Sequence, residues 1–165
     1  MIILGIDPGL AIVGWGVLHF DGRRFTPMAY GSIQTEAGLK TEERLLQIHE
    51  TLEKILERYH PDAMSVEELF WNTNQKTGIV VAEARGVILM TAHRRGIPIA
   101  EYTPLQVKQT VVGYGRAEKK QVIAMVTKLL ELPKPPKPDD TADALAVAIC
   151  HGHASHSVMG KYYNQ

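Results

Sequence analysis

The sequence is poor in cysteine. Its 165 residues include one, Cys150, which stands among alanine and aliphatic residues near the C-terminus. A single cysteine excludes an intramolecular disulfide framework and every zinc site built from several thiolates. We therefore expect a reducing compartment, the cytoplasm, and we do not expect Cys150 to act as a catalytic nucleophile.

Long apolar runs are also absent. No stretch approaches the roughly 18 uncharged residues of a membrane span, and the first residues lack the basic segment of a secretion signal. The length suits one domain that buries most of its apolar surface without structural metals. We expect no membrane association, a single domain over residues 1–154, and a flexible tail over residues 155–165.

The charges balance overall but are unevenly distributed. The formal net charge is zero, yet residues 1–70 contain six Lys/Arg and eleven Asp/Glu, whereas residues 105–138 contain seven and two. A basic segment beside an acidic one suits a polyanion that is held by lysines while a metal holds its reacting phosphate. An ordinary solvated helix face is the alternative interpretation.

Hydrophobic periodicity predicts an α/β fold with a mixed sheet. Three strands joined by short turns predict an antiparallel meander, after which strands alternate with amphipathic helices. The proline-rich segment 132–138 predicts an extended spacer. A mixed sheet flanked by helices follows, with strands over residues 2–7, 12–20, 25–35, 63–67 and 97–102, and helices over residues 41–59, 75–95, 104–111, 117–130 and from 139 or 140 to about 152.

Four acidic residues stand where strands or helices begin or end. Asp7 interrupts the apolar first strand, and an isolated carboxylate there needs a partner, a proton or a cation. Glu67 closes a short strand, and Asp143 opens an apolar helix with Asp140 three residues earlier on the same face. A helix cap and a first-turn dipole partner are the alternative interpretations of these two aspartates. The opposite face of this helix is apolar, so we expect it to bring the four carboxylates together.

Such a cluster suits phosphate chemistry. Hard oxygen ligands without a Cys/His set select Mg²⁺ or Mn²⁺ over zinc. Two such ions about 4 Å apart can activate water and stabilise the leaving oxygen of a phosphodiester, so no protein nucleophile is required. His151, His153 and His156 could bind metal or transfer protons. Histidines near a terminus are more often solvated, and we leave them out of the predicted site.

Motifs in this order along nearly the whole chain resemble one family. They are Gly5-Ile6-Asp7-Pro8-Gly9 with Gly14-Trp15-Gly16-Val17, Val66-Glu67-Glu68-Leu69-Phe70, Ala84-Arg85-Gly86-Val87, Gln106-Val107-Lys108-Gln109-Thr110-Val111-Val112-Gly113, Ala117-Glu118-Lys119 and Asp143-Ala144-Leu145-Ala146. The chain resembles the RuvC family of bacterial Holliday-junction resolvases, in the RNase H-like/integrase superfamily. The segment from Gln106 to Gly113 is the most specific of these motifs.

The resemblance implies a fold, a reaction and a site. It implies an RNase H-like domain and a Mg²⁺-dependent endonuclease of DNA recombination and repair, with two ions per site and Mn²⁺ as a substitute. Paired symmetric nicks would leave 5′-phosphate and 3′-hydroxyl ends. Asp7, Glu67, Asp140 and Asp143 match the metal-binding catalytic acids. Some family members carry histidine at the position of Asp140, so the resemblance makes this chain the all-carboxylate variant.

The resemblance also implies contacts with DNA and with proteins. Lys108 and Lys119, with Lys120 beside them, would neutralise junction phosphates. Phe70 and Trp71 could stack on an unpaired base at the crossover, or could close the core instead. A homodimer is implied, with the helix over residues 75–95 as its interface unless the sheet buries that helix, and so is cooperation with RuvA and RuvB.

Three alternatives remain open at this point. A YqgF-like RNA-processing nuclease shares the Asp7 motif but should lack the Gln106–Thr110 segment. An ATP-binding protein related to actin and the sugar kinases has a similar turn after the first strand, but it needs two domains and gives the other acids no purpose. A junction-binding module without catalysis would not need all four acids.

Overall fold

Helices cover both faces of one mixed sheet. A computed structural model describes residues 1–69 and 75–156, without the side chains of residues 75–77. In these ranges the elements are β1 (Ile2–Asp7), β2 (Ile12–Phe20), β3 (Phe25–Gln34), α1 (Thr41–Tyr59), β4 (Ala63–Glu67), α2 (Gln75–Arg94), β5 (Ile99–Tyr102), α3 (Pro104–Val112), α4 (Lys119–Leu129) and α5 (Asp139–His156). The predicted alternation of strands and helices is confirmed.

The sheet order places three parallel strands side by side. The order is β3-β2-β1-β4-β5. The first three strands pair antiparallel, as the predicted meander requires, whereas β1 with β4 and β4 with β5 pair parallel. The carboxyl ends of β1, β4 and β5 therefore meet at one edge of the sheet, where Asp7, Glu67 and Tyr102 end their strands.

Alternate strand residues feed two separate cores. Ile3 and Leu18 pack toward α5, α3 and α4, whereas Leu4 and Ile6 pack toward α1 and α2. Because side chains alternate across a strand, Asp7 shares the α5 face of β1 with Ile3. Glu67 likewise lies on the face of β4 opposite Met64 and Val66, which belong to the core under α1 and α2.

Helix α5 is the central helix of the fold. Every residue from Thr141 to Gly152 is buried except Asp143, because the sheet covers one side of the helix and α3 and α4 cover another. The helix runs to His156 rather than to about residue 152. Residues 155 and 156, placed in the predicted flexible tail, are thus helical, and residues 157–165 lie outside the described ranges.

Two elements start two residues later than predicted, each for a local reason. Strand β5 begins at Ile99, because the Ile97 N–H donates to the Ala92 carbonyl oxygen at 3.1 Å and so continues the turn that ends α2. Helix α4 begins at Lys119 because Glu118 is its N-cap, in a capping box with Gln121. Both differences come from turn hydrogen bonds that hydrophobic periodicity does not report.

Candidate active site

An acidic pocket lies at the carboxyl edge of the parallel strands. Asp7 and Glu67 reach it from β1 and β4, and Asp143 reaches it from the first turns of α5. Lys108 of α3 and Lys119 of α4 line the same pocket, with apolar walls formed by Pro104, Val107, Val122 and Ala146. We call this site the acidic pocket. The predicted convergence of Asp7, Glu67 and Asp143 is thus present in the structure.

Close contact between α5 and the sheet creates this convergence. A Cβ atom added to Gly14 would overlap the carbonyl oxygen of Asp140, and one added to Gly5 would overlap that of Ala144. The Thr141 hydroxyl donates to the Gly31 carbonyl oxygen at 3.0 Å and ties the start of α5 to β3. Glycines in the strands therefore let α5 approach close enough to bring its acids to Asp7.

Asp140 lies beside the pocket rather than in its lining. It occupies the first turn of α5 with Asp139, so neither residue precedes the helix as the predicted cap would. Its negative charge is near enough to raise the pKa of Asp7, after the larger contributions of burial and of the other pocket carboxylates. Asp140 is thus an electrostatic neighbour of the pocket in this structure.

The pKa of Asp7 lies far above the ordinary range for an aspartate. Burial is the largest cause that raises the pKa of Asp7 to about 8. The negative charges of Asp143 and Glu67 come next, followed by Asp140, while the Lys119 ammonium opposes them. The carboxylates therefore repel one another, and a bound cation would relieve that repulsion.

The other two pocket acids are shifted in the same direction. Burial, then the charge of Asp143, raises the pKa of Glu67 to about 6, against the opposing charges of Lys108 and Lys119. Burial also raises the pKa of Asp143, although its hydrogen bond with Lys119 opposes the shift. Three acids with raised pKa values in one cleft are typical of a functional site.

The donor set fits a hard divalent cation. The pocket offers carboxylate oxygens without cysteine or histidine, as Mg²⁺ and Mn²⁺ prefer. Among the described residues, no three Asp, Glu, His or Cys side chains are already arranged around one ion position. Lys119 Nζ instead lies 2.9 Å from Asp143 Oδ2. Ligation would therefore require the side chains to turn.

The predicted lysines differ in their positions. Lys108 and Lys119 line the pocket, whereas Lys120 is 81% exposed and pairs with Glu118 at 2.9 Å. Helix α3, which carries Lys108, starts at a capping box in which the Gln106 N–H donates to Thr103 Oγ1 at 3.1 Å. The predicted aromatic contacts Phe70 and Trp71 lie outside the described residues.

A partly buried pair at the end of β5 was missed by sequence reasoning. Tyr102 pairs with Glu67 in the sheet, and its hydroxyl lies 2.8 Å from His151 Nδ1. Burial raises the pKa of Tyr102 to about 12 and lowers the pKa of His151. The expectation that His151 is solvated is therefore wrong. The available signal was spacing, since His151 follows the buried Val147 by one helical turn.

The other two histidines are helical and lie against aromatic rings. His153 and His156 are exposed, but each meets an aromatic ring at a steep angle. The His153 ring centroid is 5.2 Å from that of Phe25, and the His156 centroid is 5.9 Å from that of Phe20. Neither histidine lines the acidic pocket, so their exclusion from the site agrees with the geometry.

Comparison with known proteins gives consistent matches over nearly the whole chain. The family model described as Crossover junction endodeoxyribonuclease RuvC matches residues 3–151. Proteins of that name from Ruminiclostridium cellulolyticum and Brevibacillus brevis are 56% and 58% identical. The alignments cover 93% of this chain and 93% of the first relative, and 92% of this chain and 91% of the second.

Solved structures match the fold closely. Thermus thermophilus RuvC in complex with a Holliday junction substrate superposes with a TM-score of 0.90 at 34% identity, covering 94% of this chain and 95% of that one. The structure of Thermus thermophilus RuvC gives a TM-score of 0.87 with the same identity and coverage. The predicted RNase H-like fold is confirmed by these likenesses.

Proposed function

Because the chain belongs to the RuvC family of crossover junction endodeoxyribonucleases and is a nuclease that resolves Holliday junctions, we propose that it cleaves DNA in the acidic pocket. One observation carries this proposal. Carboxylates from β1, β4 and α5 share a cleft with two lysines, so groups for a metal and for a phosphate lie together. The RNA-nuclease and ATP-binding alternatives are not favoured by the family match.

Asp7, Glu67 and Asp143 would hold the metal of this metal-dependent family, and Asp140 would complete the set from the first turn of α5. We propose Mg²⁺, two ions per site, with Mn²⁺ as a substitute. Bound divalent ions supply Lewis-acid activation of water and charge neutralisation at the phosphodiester. The products would carry 5′-phosphate and 3′-hydroxyl ends.

The lysines would position the DNA. Lys108 and Lys119 lie within the pocket and would orient the reacting phosphate, while the exposed Lys120 would contact a neighbouring phosphate. Such contacts are independent of sequence and weaken steeply with salt. Phe70 follows the strand that carries Glu67 in the sequence, and we propose that it stacks on a base at the crossover.

Paired nicks call for two sites related by a twofold axis. Helix α2 offers a face for such a homodimer, because Ile79 is 54% exposed and Met90 is 49% exposed. The opposite face of α2 is occupied, since Ala84 and Ile88 are buried in the core with α1. We also propose RuvA and RuvB as partners, a cytoplasmic location, and one nuclease domain, which the end of α5 extends two residues beyond the predicted range 1–154. No described helix could cross a membrane.

A cleavage experiment tests this function. A synthetic mobile four-way junction and a duplex of the same sequence are incubated with Mg²⁺ or with EDTA, using wild type and Asp7→Asn, and junction binding is recorded in parallel. We expect symmetric paired nicks that need Mg²⁺ and disappear in Asp7→Asn while binding persists. Full cleavage by Asp7→Asn would remove the acidic pocket from the mechanism.

A further inference from the structure

One ion pair occupies the acidic pocket. Lys119 Nζ lies 2.9 Å from Asp143 Oδ2, and the two side chains are 53% and 26% exposed. Among the ion pairs between described residues, it alone includes a carboxylate of the pocket. Lys108 lines the same pocket without such a pair to Asp143. The two lysines therefore stand in different relations to the acids.

The ion pair and a metal would compete for the same oxygen. Asp143 Oδ2 already accepts a hydrogen bond from the Lys119 ammonium. A divalent ion on the same oxygen would therefore lie in contact with that ammonium. Because two cations in contact repel strongly in a partly desolvated cleft, a divalent ion can bind Asp143 Oδ2 only when the Lys119 ammonium moves away. Lys119 can do so without unfolding, since it sits at the first position of α4 on a flexible stem that is half exposed.

We propose that Lys119 couples DNA binding to metal loading. In the protein without DNA, Lys119 neutralises the charge of Asp143. When a DNA phosphate pairs with the Lys119 ammonium instead, Asp143 becomes free to bind a divalent ion. This inference rests on the proposed function of the pocket. By linkage, the coupling is reciprocal: DNA raises the affinity for the ion, and the ion raises the affinity for DNA. The site is thereby loaded mainly when a substrate phosphate is present.

Mn²⁺ binding in the absence of DNA tests the inference directly. Free Mn²⁺ is followed by electron paramagnetic resonance during titration of wild type, Lys119→Gln, Lys119→Arg and Lys108→Gln. Without the competing ammonium, Lys119→Gln should bind Mn²⁺ roughly tenfold more tightly. Lys119→Arg keeps a cation that can reach Asp143 and should remain near wild type. Lys108→Gln removes one positive charge from the same pocket but leaves the ion pair, so it should gain only about twofold.

The thermal midpoint supplies a second readout. In EDTA, Lys119→Gln should melt below wild type because it leaves Asp143 unpaired among like charges, and saturating Mn²⁺ should remove that difference. Equal gains in Mn²⁺ affinity for Lys119→Gln and Lys108→Gln would reveal a general charge effect and overturn the inference, as would no gain for Lys119→Gln.

The inference and the proposed function fail in different ways. Suppose that Lys119→Gln and Lys108→Gln gain equally in Mn²⁺ affinity while wild type still nicks junctions. The proposed cleavage centre then stands, and only the coupling is overturned. Absence of Mn²⁺ binding in wild type and in every variant overturns the inference together with the proposed metal site.

Discussion

At the scale of single residues, Asp7 makes the metal-free protein sensitive to pH. Its pKa rises from the ordinary 3.8 to about 8, mainly through burial. Between these values the native state binds a proton that the unfolded chain has lost, so the free energy of unfolding falls as pH rises. The acids that suit a cation therefore destabilise the fold when no cation is bound.

Replacing Asp7 by asparagine should reverse this cost. We expect Asp7→Asn in EDTA to be more stable than wild type by about 1–3 kcal/mol at pH 8, with a smaller difference at pH 5. Urea unfolding of both proteins at the two pH values measures the effect. An equal difference at both pH values would show that the charge of Asp7 is not responsible.

Gly14 should be intolerant of a side chain. A Cβ atom there would overlap the Asp140 carbonyl oxygen, so Gly14→Ala must displace either α5 or β2. We expect a loss of about 1–3 kcal/mol of stability, as for overpacked cores, and a loss of cleavage because Asp143 moves from Asp7. Gly38→Ala is the matched control, since a Cβ atom at Gly38 meets nothing within 4 Å. Equal melting temperatures for the two variants would contradict this account.

The chemistry of individual residues was more predictable than their pairing. An acid within an apolar strand can be recognised as functional from the sequence because burial of charge is costly. The structure places Asp7, Glu67 and Asp143 together as predicted. The contacts of Lys119 with Asp143 and of Tyr102 with His151 were not predicted. Each joins elements distant in sequence, and such pairing depends on packing that local patterns do not encode.

At the scale of elements, α5 determines the site. It contacts the sheet on one side and α3 and α4 on another, so its position sets where Asp143 lies relative to the lysines. Periodicity predicted the helix and its contact with the sheet, but not its burial on further sides, because covering helices leave no trace in the local pattern of α5. His151 is likewise buried rather than solvated, with its ring against that of Tyr102 at the end of β5.

The Tyr102 hydroxyl should hold this arrangement together. It forms a hydrogen bond with His151 of α5 at 2.8 Å. Tyr102 also directly precedes Thr103, the N-cap residue of α3. We expect Tyr102→Phe to lose about 1–2 kcal/mol of stability, because the buried imidazole loses its hydrogen-bond partner. Thermal or urea unfolding measures the loss, and the exposed Tyr114→Phe is the control. A neutral Tyr102→Phe would mean that another group satisfies His151.

At the scale of the whole molecule, the exposed face of α2 should decide assembly. Met90→Glu places a charge on the proposed dimer interface and should shift the protein toward monomer in sedimentation at micromolar concentration. Met28→Glu is the matched control, because Met28 is similarly exposed but lies on β3, at the far edge of the sheet. If wild type is already a monomer, the proposed homodimer is wrong.

Assembly should also affect the pattern of cleavage. A monomeric Met90→Glu variant that keeps its pocket should bind junctions more weakly and leave single nicks, because the two incisions are no longer made within one complex. Electrophoresis of a junction carried on a supercoiled plasmid distinguishes nicked circles from linear products. If a monomeric variant gave as much linear product as wild type, paired cleavage would not depend on dimerisation.

The position of α5 in the chain has a consequence for biosynthesis. Asp7 and Glu67 belong to elements that leave the ribosome early, whereas Asp143 belongs to α5, the last of the described elements. A nascent chain therefore has no complete set of acids until synthesis of its central helix, and the sheet face that α5 covers stays open until then. Under the proposed function, an unfinished chain therefore lacks cutting activity, and we expect its uncovered apolar face to be a target for chaperones and proteases.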